Sequence, residues 1–403
     1  MRITVISPFV DRRHGTERAV AELVERLAAR YGDQIELYAQ RIVDLTNLAP
    51  NEYSDAQPGA ICWHRVGKFP GPHILRFLSW LLLNRRARER NQRKSGQRAD
   101  IVFSPGINAL DADMVLVHAV FHRLAELQTG REGSGLRGLH QRLYYALLCR
   151  LERRIYTDPR VTLAAVSKHT AEQLAHYFGR RDVTVIPNGV DAKHFSAEAV
   201  VPLRAVSRQR WHCAPEQTVL LLIGNDWRNK GLPALLAAMA RCPDLPLRLL
   251  VAGQDDQAAF RARAAIAGLG ERVEFCGPSQ DVRSFYAAAD VLVAPSLEDS
   301  FNLPVLEAMA CSLPCIVSPK AGVSEWLTHG FNALLLRDPE DAGEIAEAIR
   351  LMAGGAQLRE TLAENAIATA KKFSWDEHAI QLRTLMEMTA KKKMANTKTA
   401  NAK

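Results

Sequence analysis

The sequence predicts an α/β protein whose sheets are parallel and covered by helices on both faces. Three observations carry that prediction. Short branched apolar runs recur along the chain, and helix-forming segments alternate with them, as strands buried on both faces require. Two of these runs, residues 3–6 and 218–223, lead into a glycine-bearing loop and then a helix. The chain has 403 residues, enough for two or three domains that each bury a core.

Composition narrows the class. The chain is 47% hydrophobic and 24% charged, which excludes wholesale disorder. A net charge of +8 fits anionic partners: nucleotides, phospholipid surfaces or nucleic acid. Seven cysteines, an odd number without framework spacing, argue for a reducing compartment. Pro314 breaks any helix between Cys311 and Cys315, and no His or Cys pair accompanies them, so they read as buried thiols and not as a metal site. The opening nine residues, MRITVISPF, turn polar too soon for a signal peptide. No run reaches the roughly 18 apolar residues of a membrane span. The expectation is a soluble, cytoplasmic protein.

Residues 3–6 read as the first buried strand. After a loop with two arginines come His14, Gly15, Thr16 and Glu17, then Ala19, Val20, Leu23 and Leu27 at helical spacing. Thr16 suits an N-cap and Glu17 the first turn. The G-x-G-x-x-G fingerprint is missing, which counts against a dinucleotide cofactor. Strands follow at 35–38, 61–66, 100–103 and 114–118. Between them, the apolar stretch 73–83 runs into Arg85, Arg86, Arg88, Arg90, Arg93, Lys94 and Arg98, opposed only by Glu89. Segment 73–98 has two readings: an interfacial helix on anionic lipid, or a packed helix with a solvated basic end. Nucleic-acid binding is not indicated, since aromatic interleaving and base-reading modules are missing. His118 closes a strand at the edge where α/β sheets hold ligands; a buried structural histidine is the alternative. A helix over 136–156, a strand over 162–167, a helix over 168–178 and a strand over 183–186 come next. Residues 187–191, PNGVD, are turn chemistry.

In the second half, strand 218–223 enters Gly224-Asn225-Asp226-Trp227-Arg228-Asn229-Lys230-Gly231, and Pro233 opens a helix through 240. Strands at 247–252, 273–276, 291–294 and 315–317 alternate with helices at 257–267, 282–289 and 304–310. A helix over 375–388 precedes residues 391–403, which are polar and basic and expected to be disordered. The richest stretch is 290–319. A buried strand leads to a polar loop, and Pro304 opens a helix at the position where a missing N–H costs nothing. The amides of Ser300, Phe301, Asn302 and Leu303 therefore lie beside a helix N-terminus, a place that favours an anion. Asp299 and Glu307 flank it with seven residues between. Amides for phosphate and carboxylates for hydroxyls suit a ligand that carries both.

SLEDSFNLPVLEAMACSLPCIVS resembles the motif of retaining glycosyltransferases of family 4, in which two glutamates are separated by seven residues. That resemblance implies two Rossmann-like, doubly wound parallel-sheet domains facing each other across a cleft, the glycosyltransferase type B fold. It implies that Glu307 holds the ribose and that the earlier acid holds the transferred sugar. Asp299 stands at the earlier position and Glu298 precedes it, so both are candidates. Lys230 resembles the lysine that neutralises the donor diphosphate. The family arginine after the first glycine is Asn225 here, and Arg228 is its candidate substitute. Gly15 and Thr16 fall in the family's glycine-rich loop, with His14 in place of its first glycine. His118 resembles the strand-end histidine near the sugar, with His122 in reserve.

The implied layout is an acceptor-side domain over 1–195, a linker over 196–210 and a nucleotide-sugar domain over 211–372. A helix over 373–390 would return to the first domain, and 391–403 would form the tail. The implied activity moves a sugar from a nucleotide-diphosphate donor to an acceptor hydroxyl with retention, without metal or cofactor. Glycan or lipid-linked acceptors, as in cell-envelope or lipopolysaccharide biosynthesis, would be the partners. His118, Asp299 and Lys230 would be catalytic. Gly15, Thr16, Asn225, Arg228, Lys230, Glu298, Asp299, Ser300, Phe301, Asn302, Leu303 and Glu307 would bind the donor. A sugar-nucleotide epimerase and a non-catalytic nucleotide-binding protein share parts of this pattern; donor turnover with acceptor separates them.

Overall fold

The computed structural model describes residues 1–12, 15–49, 59–128, 135–279 and 281–401. The chain forms two compact units, Met1–Gly189 with Trp375–Lys403, and Val190–Ser374.

Unit 1 begins with β1 (Arg2–Ile6), β2 (Phe9–Val10), α1 (Gly15–Tyr31), β3 (Gln34–Ala39), β4 (Arg41–Ile42) and β5 (Ile61–Arg65). It continues with α2 (His73–Ser95), β6 (Ile101–Pro105), β7 (Met114–Val117), α3 (Phe121–Gln128), α4 (Gly135–Tyr156), β8 (Thr162–Ala165), α5 (Lys168–Phe178) and β9 (Val183–Val185). Its seven-stranded sheet has the order β5-β3-β1-β6-β7-β8-β9, and each of its pairings is parallel. Ile3 pairs with Ile35 on one side and Ile101 on the other, which makes β1 an interior strand. Ile3, Val5 and Ile6 are fully buried, because helices cover both faces of a parallel sheet.

Unit 2 holds α6 (Ala197–Val200), α7 (Arg204–Arg210), β10 (Thr218–Ile223), α8 (Leu232–Ala240), β11 (Leu247–Ala252), α9 (Gln257–Ile266), β12 (Val273–Gly277) and α10 (Arg283–Ala288). β13 (Val291–Ala294), α11 (Leu303–Ala310), β14 (Cys315–Val317), β15 (Leu334–Leu335), α12 (Ala342–Gly354) and α13 (Ala356–Ala370) complete it. The sheet order is β12-β11-β10-β13-β14-β15. It reverses between β10 and β13, so the loops that follow these two strands diverge. A crevice opens there at the carboxyl ends, where doubly wound sheets bind ligands.

Four expectations are corrected. Residues 196–210 are not a linker but belong to unit 2 as α6, a short 3-10 turn and α7. Arg204 holds Asp290 at 2.5 Å and Arg208 holds it at 3.1 Å, which bolts α7 to the end of α10. The junction falls at Gly189, ahead of the expected 195. Thr16 is not an N-cap, because α1 already begins at Gly15. The tail is not disordered through its length: α14 (Trp375–Asn401) carries helix into it, and Lys393 pairs with Asp113 at 2.7 Å.

α14 belongs to unit 1. Asp376 accepts from Arg26 at 2.6 Å, Arg383 donates to Asp33 at 2.8 Å, and the Thr389 hydroxyl meets that of Thr162 at 3.1 Å. Along α2, Trp80, Leu81 and Asn84 are buried while Leu75, Leu78 and Leu82 form an exposed stripe. Leu139 and Leu143 of α4, one turn apart, are also exposed, and Phe77 packs edge-on against Tyr144 between the two helices. Among the described residues, no helix is long and apolar enough to cross a membrane.

Candidate active site

The two loops at the unit 2 crevice are locked to each other. After β10, Gly224 takes a φ of 147°, and a Cβ there would lie 2.7 Å from Lys230 Cε. The lysine stem therefore lies across the space that a larger residue would fill. Lys230 Nζ reaches Asp299 Oδ2 at 2.5 Å. Asn229 clamps the same junction: its side-chain amide donates to the Glu298 carbonyl at 2.8 Å, and its own carbonyl accepts from the Leu297 amide at 2.7 Å. Gly231, at a φ of 79°, starts α8 with its Cα packed against the Pro295 backbone. Asn225 Oδ1 accepts from the Gln254 amide at 2.8 Å, so this residue joins its loop to the one after β11. Arg228 is exposed, and its side chain pairs with nothing among the described residues.

Past β13, Asn302 adopts a left-handed φ of 72° and gives α11 no side-chain cap. Its side-chain amide instead donates to the buried Ser296 hydroxyl at 3.3 Å. The backbone amides of Asn302 and Leu303 have no acceptor among the described residues. An uncapped helix start with free amides is an anion site in waiting. A small pocket lies there, lined by Ile223, Lys230, Ala294, Ser296, Asn302 and Pro304. The expected cradle is narrower than the sequence suggests, because the Phe301 amide donates to Asp299 Oδ1 at 3.2 Å. The Phe301 ring faces the core against Trp326, 5.7 Å between centroids. Ser300 and Glu298 flank the ion pair, and Glu298 is buried. Glu307 is buried on α11 and accepts from the Tyr286 hydroxyl at 2.6 Å.

In unit 1, Gly15 and Thr16 form the first turn of α1, at the carboxyl end of β1. His14 lies outside the described residues. His118 follows β7, and both of its ring nitrogens are shielded from solvent without a bonding partner. Burial, reinforced by neighbouring His378, pushes its pKa down to about 3, so the ring is neutral. His122 is built differently. Its Nδ1 donates to the fully buried Glu152 at 2.8 Å, and Glu152 also accepts from the amides of Phe121 and His122. The ring packs edge-on to Phe178, the last residue of α5. His122 is thus anchored to Glu152, while His118 directly follows the last residue of β7.

Asn229, Tyr286 and Ser296 escaped the reading of the sequence. Asn229 was visible only as the neighbour of Lys230, while Tyr286 lies 21 residues from the carboxylate it serves and leaves no local signal.

Comparison with known proteins follows the same division. Residues 13–194 match the family description Glycosyltransferase Family 4, and residues 217–353 match Glycosyl transferases group 1. The lipopolysaccharide glucosyltransferase WaaG of Escherichia coli is 28% identical over 186 residues, 45% of this chain and 50% of WaaG. The match thus spans half the length of that relative. A D-inositol 3-phosphate glycosyltransferase of Pseudarthrobacter chlorophenolicus is 27% identical over 381 residues, covering 89% of this chain and 87% of the relative. Among solved structures, WaaG superposes with a TM-score of 0.76 at 19% identity, over 95% of this chain and 99% of that one. HepE of Anabaena, solved with UDP and glucose, gives 0.70 at 18% identity, over 96% and 99%.

Proposed function

The chain belongs to the group 1 glycosyltransferases of family 4, and on that premise we propose that it transfers a sugar from a nucleotide diphosphate to a glycan or lipid-linked hydroxyl with retention of configuration. The observation that carries this reading is the Lys230–Asp299 pair beside the uncapped start of α11. As the donor's glycosidic bond breaks, negative charge gathers on the departing diphosphate. Lys230 and the amides of Asn302 and Leu303 are fixed in advance to receive it, which is the form of stabilisation that costs no reorganisation at the moment of reaction. In this scheme Lys230 supplies the positive charge and no metal or other cofactor is needed. Arg228 is the second cation available to the diphosphate. Glu307, oriented by Tyr286, takes the ribose hydroxyls. Asp299, held beside the lysine, accepts from the sugar hydroxyls, with Glu298 behind it. Neutral His118 offers one donor and one acceptor to the sugar, and the first turn of α1 with Gly15 and Thr16 serves phosphate or acceptor.

WaaG's role in lipopolysaccharide synthesis and the stripe of exposed leucines support an acceptor at the envelope and a peripheral place on the cytoplasmic membrane face. Leu75, Leu78 and Leu82 on α2 and Leu139 and Leu143 on α4 supply apolar contacts, while exposed Arg85 and Arg86 supply charge for anionic headgroups. The protein is expected to float with vesicles of anionic phospholipid at low salt. Leu78→Ser with Leu82→Ser is expected to lose at least half of that binding; equal flotation of the variant would remove the assignment.

The function is tested by thermal shift against UDP, GDP, ADP and CMP, followed by turnover of the matching sugar nucleotides. A ligand at about 100 times its dissociation constant adds roughly 2.7 kcal/mol of stability. One diphosphate is expected to raise the melting temperature, and Lys230→Ala is expected to abolish that rise and to lower kcat/KM by about 100-fold or more. A variant that binds and turns over like the parent would sink the role of Lys230. An enzyme that consumes the donor and releases an epimer without acceptor would sink the transferase reading.

A further inference from the structure

Strands buried on both faces of a parallel sheet are ordinarily apolar on both. Unit 1 breaks that rule on one face. Thr4 of β1 pairs with Glu36 of β3, Ile6 with Tyr38, and Tyr38 in turn with His64 of β5. Side chains two residues apart share a face, so Arg2, Thr4, Glu36, Tyr38 and His64 lie on one side. Part of this polar set is satisfied. Glu36 accepts from Arg2 at 2.7 Å and bonds His64, whose ring stacks on Tyr38 with 4.6 Å between centroids. The remainder is not. Thr4 is 6% exposed, and its hydroxyl has no partner among the described residues. Tyr38 is 2% exposed, and its Oη only accepts, from Asn91 of α2 at 3.0 Å. The Tyr38 proton is unspent, and burial raises its pKa, so it stays in place. These groups line a cavity of about 390 Å³ beneath the last turns of α2. Its rim is basic: Arg98, exposed and paired with no acid among the described residues, and exposed Lys393 of α14 both line it. Arg2 opens β1 and residues 97–99 lead into β6, so the cavity lies toward the amino edge of the sheet. Gly15 and His118 mark the opposite, carboxyl edge.

We propose that this cavity is a second ligand site, separate from the unit 2 crevice, which takes a small polyol carrying one phosphate group, free in solution. The chemistry selects the ligand class. Arg98 and Lys393 at the rim supply charge-assisted donors for phosphate oxygens. The buried wall offers a donor and an acceptor at Thr4, a donor at Tyr38 and an acceptor at Glu36, which suit hydroxyl groups. A bare phosphate would leave the Thr4 and Tyr38 hydroxyls unused and would be repelled by Glu36 if it moved inward. An uncharged polyol would leave Arg98 unused. A cavity of this volume has room for both parts in one molecule.

Titration calorimetry on the full chain tests it, with a hexose 6-phosphate, the free hexose and inorganic phosphate as probes. The hexose phosphate is expected to bind about 10-fold or more tighter than either part alone. Arg98→Glu is expected to weaken it by about 10-fold or more, the size of a lost charge-assisted hydrogen bond. Thr4→Val keeps the shape of the side chain; it is expected to weaken the hexose phosphate by about fivefold and to leave inorganic phosphate unchanged. If Thr4→Val does not fold, the surface variant Arg98→Glu decides the matter. Lys230→Ala is expected to change none of these affinities, and a loss there would put the ligand in the unit 2 crevice and overturn the second site. Equal affinity for inorganic phosphate and the hexose phosphate would overturn the polyol. No heat with any probe would mean that the cavity holds only water. A lipid headgroup is the other source of the same chemistry. Vesicles of phosphatidylinositol phosphate in phosphatidylcholine are expected to leave hexose phosphate binding unchanged; competition would overturn the assignment to a soluble ligand.

Discussion

Gly231→Ala is expected to cost unit 2 about 3 kcal/mol or more, through a left-handed backbone and a collision that no side-chain movement relieves. The backbone holds φ at 79° there, a conformation that costs an alanine roughly 1–2 kcal/mol. The added Cβ would lie 2.0 Å from the Pro295 carbonyl oxygen and 2.8 Å from its carbon. Pro295 cannot step aside, because it continues β13 and sits one residue before the buried Ser296. Relief must come from lifting the start of α8, whose Leu232, Leu235 and Leu236 are core residues. A drop of about 10 °C in the unfolding transition is the expected reading, together with loss of nucleotide binding as Lys230 moves with its neighbour. A variant within about 1 kcal/mol of the parent would show that the helix start yields more easily than this packing implies. Gly224 makes a useful contrast. A Cβ there meets the Lys230 side chain and no backbone, so Gly224→Ala adds displacement of the lysine to the backbone strain that its φ of 147° already imposes.

Acid is expected to destabilise unit 1 well before general acid unfolding, because two of its histidines are held neutral. His118 has its pKa pushed down to about 3 by burial and by His378, and His378 has its own pushed down to about 4, chiefly by burial. Unfolded histidine titrates near 6.5. A group whose folded pKa is depressed contributes stability that is complete above the unfolded value and is lost as pH falls toward the folded one. The window for this loss therefore opens below about pH 6.5 and runs down to about 3–4. At pH 4.5 each histidine alone would cost about 2–3 kcal/mol, and because charge on His378 disfavours charge on His118 the two losses are not independent. Melting curves from pH 7 to pH 4.5 measure it. The His378→Phe variant removes one of the groups and is expected to flatten the slope by about half. An unchanged slope would place the acid sensitivity elsewhere.

Much of the fold was readable because parallel strands buried on both faces appear as unbroken apolar runs. Residues 218–223, 291–294 and 315–317 begin and end in the structure where those runs do. The lysine before Gly231 and the acid pair around the α11 start were readable for a similar reason, since each sits one loop beyond such a strand. What the sequence hid was set by distant partners. α6 and α7 have four and seven residues, too few for an amphipathic period to show, and they hold through Arg204 and Arg208 on Asp290, more than 80 residues away. Residues beyond 390 look like a solvated tail, yet an ion pair 280 residues distant ties Lys393 down. The amide of Phe301 was spent locally on Asp299, a side-chain turn that competes with ligand binding and carries no periodic signal.

The chain leaves unit 1 at Gly189 and re-enters it at Trp375, and at that crossing the Val190 amide donates to the Phe373 carbonyl at 3.2 Å. Unit 2 is thus an insertion, closed at its own neck, inside a domain that needs both of its sequence halves. During synthesis the first 189 residues emerge with the α1 surface still waiting for its partner helix, while the inserted unit has everything it needs once Ser374 is made. The unit that appears first on the ribosome is therefore the one that finishes last. Its early hydrophobic surface has to be tolerated for the time it takes to make nearly 200 further residues.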